Sequence, residues 1–275
     1  MNWTPSLGWN KPTPQHYARC KAGPPATDIL ADVVPLAKVD LSGLVKIINQ
    51  LNLGSCTANS AAQIIHAAMV TAGLDPSTEF FSRLFAYYLA RFEAGNQGED
   101  AGSENCTVID AVCRMGFCPE SVWPYDCTKF AQQPPMEAVW AAFDQRGKVD
   151  VNYHRIDTVS GPALLTVMKQ ALTAGYLFNF AGPVTNAFCR GEVGTTPYSP
   201  AIPPTDGQDI AGGHSMTCCG CDFLAARPYF KVANSWGPDF GERGFCYLDT
   251  SYLTWWEVED MWIVTAAPRY SGGAS

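Results

Sequence analysis

From Cys56 onward the chain is small or apolar at Ala58, Ala61, Ala62, Ile64, Ile65, Ala67, Ala68 and Met69, until Gly73 interrupts the run. Apolar positions on more than one face predict a buried helix of about three turns that starts at Cys56. A second helical period covers Ser82 to Arg91, ahead of a glycine-rich loop from Gly95 to Gly102. A third covers Thr107 to Met115 and ends at Gly116 in the manner of a C-cap. A short helix is expected over about Gly161 to Ala174. The signal then changes to strands at Tyr176 to Phe180, His214 to Cys219, Tyr229 to Ala233, Gly244 to Leu248 and Met261 to Thr265. Helices first and strands second predict an α+β fold of two lobes. No period is sustained before residue 40, where Trp3, Pro5, Trp9, Pro12, Pro14, Pro24 and Pro25 read as an extended arm. The polar stretch from Gln132 to Pro135 reads as a crossing between lobes.

Composition narrows the class. The 275 residues are 47% hydrophobic and only 16% charged, enough for one large domain or two lobes sharing a core. A net charge of −8, without a cluster of Lys and Arg, argues against nucleic acid or an anionic membrane as partner and leaves a peptide or protein substrate open. The N-terminus lacks the basic and apolar stretches of a secretory signal, and no apolar segment is long enough to span a bilayer. A cytoplasmic or virion-associated protein is therefore expected ahead of a secreted one. Eleven cysteines cannot all pair internally, so at least one thiol is left over. Without an export signal the others are expected to be buried and reduced, the alternative being a bridged, secreted or particle-borne protein.

Cys56 is the natural remaining thiol. It ends the run Gln50-Leu51-Asn52-Leu53-Gly54-Ser55-Cys56, and Gly212-Gly213-His214 and Asn234-Ser235-Trp236-Gly237 lie far downstream. A thiol with a pKa of about 8.5 is mostly protonated at neutral pH. A histidine beside it, oriented by an amide oxygen, makes it a nucleophile, and a helix N-terminus favours the thiolate. A single cysteine is more often structural; the conjunction of Gln50, Cys56, His214 and Asn234 is what points to chemistry.

These motifs resemble the papain-like cysteine proteases. Leu7-Gly8-Trp9, Ser82-Arg83-Leu84-Phe85 with Tyr87-Tyr88, and Pro119 to Tyr125 extend the likeness to a bacterial and viral branch of that group. The resemblance implies a helical left lobe and an antiparallel, β-barrel-like right lobe with the active-site cleft between them. It implies a catalytic domain over 41–275, with a helical lobe at about 50–130 and a β-rich lobe at about 150–265, preceded by an arm at 1–40. It also implies roles: Cys56 as nucleophile, His214 as base, Asn234 as its orienter, Gln50 as oxyanion donor, Trp236 as a shield over the His–Asn bond, and Gly102 lining the substrate backbone. No cofactor and no metal is implied.

The chain departs from plant and mammalian members, which have a bridged cysteine three before the nucleophile and a tryptophan just after it; here Leu53 and Thr57 stand there. Only the arm precedes the catalytic body, either crossing its rear or partly filling the cleft. The implied chemistry is peptide hydrolysis through a thiolate–imidazolium pair and a thioester. Two alternatives stay open: a Cys-dependent acyl transferase or deamidase, and a non-catalytic structural protein, for instance of a viral particle. Oligomeric state is not legible. Cys218 and Cys221 have C-x-x-C spacing, but the run follows His214 in an expected strand, and small buried thiols are the plainer reading. His66 and His154 read as structural, and Trp255 and Trp256 as core ahead of pocket lining.

Overall fold

The computed structural model describes residues 5–74, 80–205 and 209–269. Two short helices, α1 (Pro14–Arg19) and α2 (Ala26–Ile29), interrupt the expected extended arm, and β1 (Lys38–Asp40) ends it. Thr13 starts α1 by accepting from His16 N–H, with Pro14 in the first turn, where the missing N–H costs nothing.

Three helices follow: α3 (Cys56–Thr71), α4 (Arg83–Ala94) and α5 (Asn105–Met115). Every residue of α3 from Cys56 to Met69 is buried, as the all-round apolar pattern requires. Ser82 caps α4 by accepting from Phe85 N–H, and Gly95, at φ 75°, closes it. α6 (Met136–Lys148) then leads into β2 (Val149–Arg155), followed by α7 (Gly161–Thr173), β3 (Phe178–Thr185), α8 (Asn186–Cys189), β4 (Ile210–Asp222), β5 (Tyr229–Ala233), β6 (Phe245–Asp249), α9 (Thr250–Leu253) and β7 (Glu259–Pro268).

The sheet is antiparallel throughout, in the order β2-β7-β3-β4-β5-β6, with β1 on β4. One apolar core joins α3, α4 and α5 to Trp262 and Val264; a second lies among α7, β3, β4, β5 and β6. Cys219 faces the first core, and Cys218 and Cys221 face the second. Strand alternation separates Cys218 from Cys219. A register shift between Cys218 and Gly220 then returns Cys221 to the side of Cys218. No disulfide joins any of the eleven cysteines, all of which lie among the described residues.

Candidate active site

Cys56 is the first residue of α3, and the loop before it is fastened from several sides. Tyr125 donates its hydroxyl proton to Gln50 O at 2.9 Å, so the 2.6 Å contact with Ser55 Oγ is one in which Ser55 donates. Asn59 Nδ2 donates to Ser55 O and Oγ, and Arg83 Nη1 donates to Asn59 Oδ1 at 3.0 Å while stacking 4.0 Å from the Tyr125 ring. Glu120 pairs with the Arg83 guanidinium at 2.6 and 3.1 Å. On the other flank Gly54 N–H donates to Asp100 at 3.0 Å, and Asp100 also accepts from Tyr87. Gln50 is fully buried, with Oε1 accepting from Ser235 Oγ at 2.6 Å and Nε2 donating to Leu53 O at 2.9 Å, which leaves one Nε2 hydrogen for the cleft.

The opposite wall is β4. His214 Nε2 lies 2.8 Å from Asn234 Oδ1. The same oxygen accepts from Ser235 N–H at 2.7 Å, which fixes the orientation of the Asn234 amide. Nε2 must then carry the proton, leaving Nδ1 as the lone-pair nitrogen. Among the described residues Nδ1 has no hydrogen-bond partner. Trp236 stacks on the imidazole with centroids 4.5 Å apart and planes 25° apart. An open groove lined by Asn49, Arg190, Thr195, Trp236 and Phe240 continues from this side.

Residues 6–10 of the arm run through the cleft. Gln50 Nε2 donates to Ser6 O at 3.0 Å. Ser103 N–H donates to Gly8 O at 2.8 Å, Asn10 N–H to Ser103 O at 3.1 Å and Trp9 N–H to Gly213 O at 3.2 Å. The Trp9 side chain packs against Cys56 and Ala181. Bare backbone makes this approach possible: a Cβ on Gly8 would stand 1.9 Å from Gly54 O, and one on Gly102 2.3 Å from Gly8 O. Gly102 thus gives room, at φ 71°, while Ser103 supplies both backbone hydrogen bonds. Beyond the cleft, the rest of the arm lies on the body, through Lys21 N–H to Asp110, Gly23 N–H to Tyr153 O and β1 on β4.

Residues 37–265 match the papain family cysteine protease profile. The chain belongs to that family. It is 32% identical over 223 residues to an uncharacterized peptidase C1-like protein of Acanthamoeba polyphaga mimivirus, a match spanning 79% of this chain and 68% of that protein. It is 30% identical over 135 residues to a gut-specific cysteine proteinase of Caenorhabditis elegans, spanning 49% of this chain and 36% of that one. Among solved structures, xylellain, a cysteine protease from Xylella fastidiosa, superposes with a TM-score of 0.76 at 25% identity, covering 96% of this chain and 98% of its own. The protein is thus a papain-family peptidase, of a family that acts on peptide substrates. No described helix is long and apolar enough to cross a membrane.

Burial works against the ion pair expected from the sequence at this papain-family site. Burial pushes the Cys56 thiol up to about 11, against a smaller opposing effect of the Ser215, Gly8 and Thr57 backbone N–H groups. Burial also lowers His214 to about 4, only partly offset by the bond to Asn234. With the arm seated, burial favours the neutral thiol and the neutral imidazole over their charged forms. Desolvation outweighs the helix N-terminus here.

Two contributors were not singled out from the sequence. Asp260 is fully buried and accepts from Asn105 N–H, Cys106 N–H, and the Trp9 and Trp262 indoles. Its signal is a pair of acids, Glu259 and Asp260, at the head of the apolar run Met261 to Val264. Asp100 ties the Gly54 turn to Tyr87, whose hydroxyl in turn accepts from Gly102 N–H at 3.0 Å. Trp256 is largely exposed, and Trp255 packs at the margin of the second core.

Proposed function

We propose that this protein is a cysteine endopeptidase that cleaves peptide bonds through a thioester on Cys56, and that residues 6–10 of an N-terminal arm over 1–40 plug its cleft between turnovers. The observation that carries the reading is Gln50 Nε2 already holding a peptide carbonyl, Ser6 O at 3.0 Å, beside Cys56. Gln50 and the Cys56 N–H are the oxyanion donors. With the arm withdrawn and water readmitted, Cys56 transfers its proton to His214 Nδ1. The thiolate attacks the scissile carbonyl carbon, His214 returns the proton to the leaving amine, and the C–N bond breaks. Water, deprotonated by His214, then releases the acid. Asn234 holds the imidazole and Trp236 shields their bond. The catalytic domain of this proposal spans 41–275, with its helical and β-rich lobes at about 50–130 and 150–265.

The arm fills the site without offering itself for cleavage. The arm group that reaches the Cys56 sulfur is the Gly8 N–H, a donor, while the carbonyl held by Gln50 belongs to Ser6, two residues away. Hydrolysis of a quenched fluorescent peptide library by the full chain, with Cys56→Ala as control, tests the reading. The expected result is turnover that disappears in Cys56→Ala. Turnover equal in both proteins refutes it. An added amine distinguishes a transferase, which would yield amide in place of acid.

A further inference from the structure

Behind the cleft the arm meets α5 at a pair of thiols. His16 Nδ1 lies 3.4 Å from Glu104 Oε1, and Lys21 N–H donates to Asp110 Oδ1 at 2.9 Å, so residues 16–21 run alongside residues 104–110. Cys20 and Cys106 fall between those two contacts. Cys106 is the second residue of α5 and is fully buried in the first core, against which Cys20, half-buried, packs from the arm. Cys20 donates its thiol proton to His16 O at 3.3 Å, which leaves its sulfur to accept from the Cys106 thiol. That hydrogen bond, helped by burial, holds the Cys106 thiol well above its usual range.

Nearby cysteines show what packing alone gives. Cys113 shares a face of α5 with Cys106 but stands about 10 Å further along the axis, beyond the roughly 7 Å that a disulfide spans between Cα atoms. Cys218 and Cys219 face opposite cores. Cys218 and Cys246 both pair with Val232, so β5 stands between them. Cys20 and Cys106 differ from all of these, because one belongs to the arm, the other to the body, and their sulfurs are in hydrogen-bond contact. To bond, those sulfurs close to about 2.05 Å by rotation of the two side chains.

We propose that Cys20 and Cys106 form a redox-controlled disulfide that staples the arm to α5. The oxidant is a small-molecule disulfide such as oxidised glutathione. Cys20, the reachable member, attacks it as the thiolate and releases one glutathione, leaving a mixed disulfide on Cys20. The hydrogen bond that held the Cys106 proton is then gone. Cys106 gives up its proton to solvent, attacks Cys20 Sγ and expels the second glutathione. Two protein thiols lose two electrons, one small disulfide is reduced to two thiols, and the two protons end on those products. Reducing surroundings run the same exchange backwards. The bridge closes a loop of about 86 residues and makes permanent the anchor that lies about ten residues behind the plug. None of these steps uses Cys56 or His214, and none depends on peptide hydrolysis.

The test uses the full chain, held either in millimolar oxidised glutathione or in dithiothreitol. Remaining thiols are blocked with iodoacetamide, the protein is digested without reduction, and the peptides are mapped by mass spectrometry. A peptide pair joined through Cys20 and Cys106 is expected in the oxidised sample and not in the reduced one. The thermal midpoint is expected to rise on oxidation by on the order of 5–15 °C. Cys20→Ser, which preserves a hydroxyl donor toward His16 O, should show neither the pair nor the rise, and Cys113→Ala should show both. Comparing oxidised with reduced protein within each variant removes any effect of the substitution on folding. Cys20 and Cys106 left unbridged after oxidation, Cys20 bridged to another cysteine, or a bridge that leaves the midpoint unchanged overturns the proposal.

Discussion

Replacing Gly8 by alanine adds one methyl group where the arm passes closest to the body. That carbon would stand 1.9 Å from Gly54 O and 2.4 Å from Gly54 C, both backbone atoms, and the Gly54 turn is pinned by its bond to Asp100. No side chain can swing away, so the arm must leave the cleft. With the arm seated, Cys56 titrates at about 11 because burial opposes the thiolate. At pH 7.5 such a thiol is ionised in roughly one molecule in 3,000, whereas a hydrated thiol near 8.5 is ionised in about one in ten. Gly8→Ala is therefore expected to alkylate at Cys56 with iodoacetamide about 300-fold faster than the unaltered chain. Peptide mass spectrometry separates Cys56 from the other cysteines, and circular dichroism checks that the variant is folded. A folded Gly8→Ala whose Cys56 reacts within threefold of the unaltered rate would refute the plug.

Acid should loosen the same contact. His214 is held at about 4 with the arm seated, below its usual value near 6.5, so the open cleft binds more protons between those limits. The seated state keeps its full advantage above pH 6.5 and loses up to about 3 kcal/mol as pH falls toward 4. Asp260, raised by burial to about 7, works in the opposite direction, but three of its four donors stay in place when the arm leaves. Hydrogen exchange at Trp9, Asn10 and Ser103, corrected for intrinsic rates, should show less protection at pH 5 than at pH 7.5; equal protection counts against it. Tyr125→Phe removes the donor to Gln50 O and the acceptor for Ser55, and should lower kcat by roughly 5- to 12-fold with KM little changed, a loss of about 1–1.5 kcal/mol. An unchanged kcat would show that the loop holds Gln50 without it.

The parts of this fold that were legible from the sequence are those where local pattern and burial agree. α3 is buried on all sides and reads so; Ser82 and Gly95 mark α4; Gly116, at φ 93°, closes α5; and β5 spans the expected Tyr229 to Ala233. α6 escaped because its buried face is only Ala138 and Ala142, while Met136, Trp140 and Phe143 point outward and blur the stripe. β2 escaped for a different reason, as its pattern of burial alternates only weakly. At the site, Gln50, Cys56, His214 and Asn234 were named from spacing, and the fold brings all four to one cleft. The arm in the cleft was one of two readings that the sequence left open, and its contacts were not legible. Those contacts join residues 6–10 to positions 50, 54, 103, 213 and 260, and the bare backbones at Gly8, Gly54, Gly102, Gly212 and Gly213 are the hints of a close crossing.

The arm stays fastened behind the plug, at Lys21 to Asp110 and at Pro24 to His154, when residues 6–10 lift away. Only about ten residues separate the plug from that anchor, a tether short enough to hold it near the cleft at millimolar effective concentration. Inhibition by the proposed plug would be unimolecular, so diluting the protein or dialysing it would do nothing to relieve it. A separate peptide of the same sequence would have to reach millimolar levels to match it. On that proposal substrate meets a competitor of fixed strength that travels with the enzyme, and the apparent affinity for any peptide would be set as much by the tether as by the cleft.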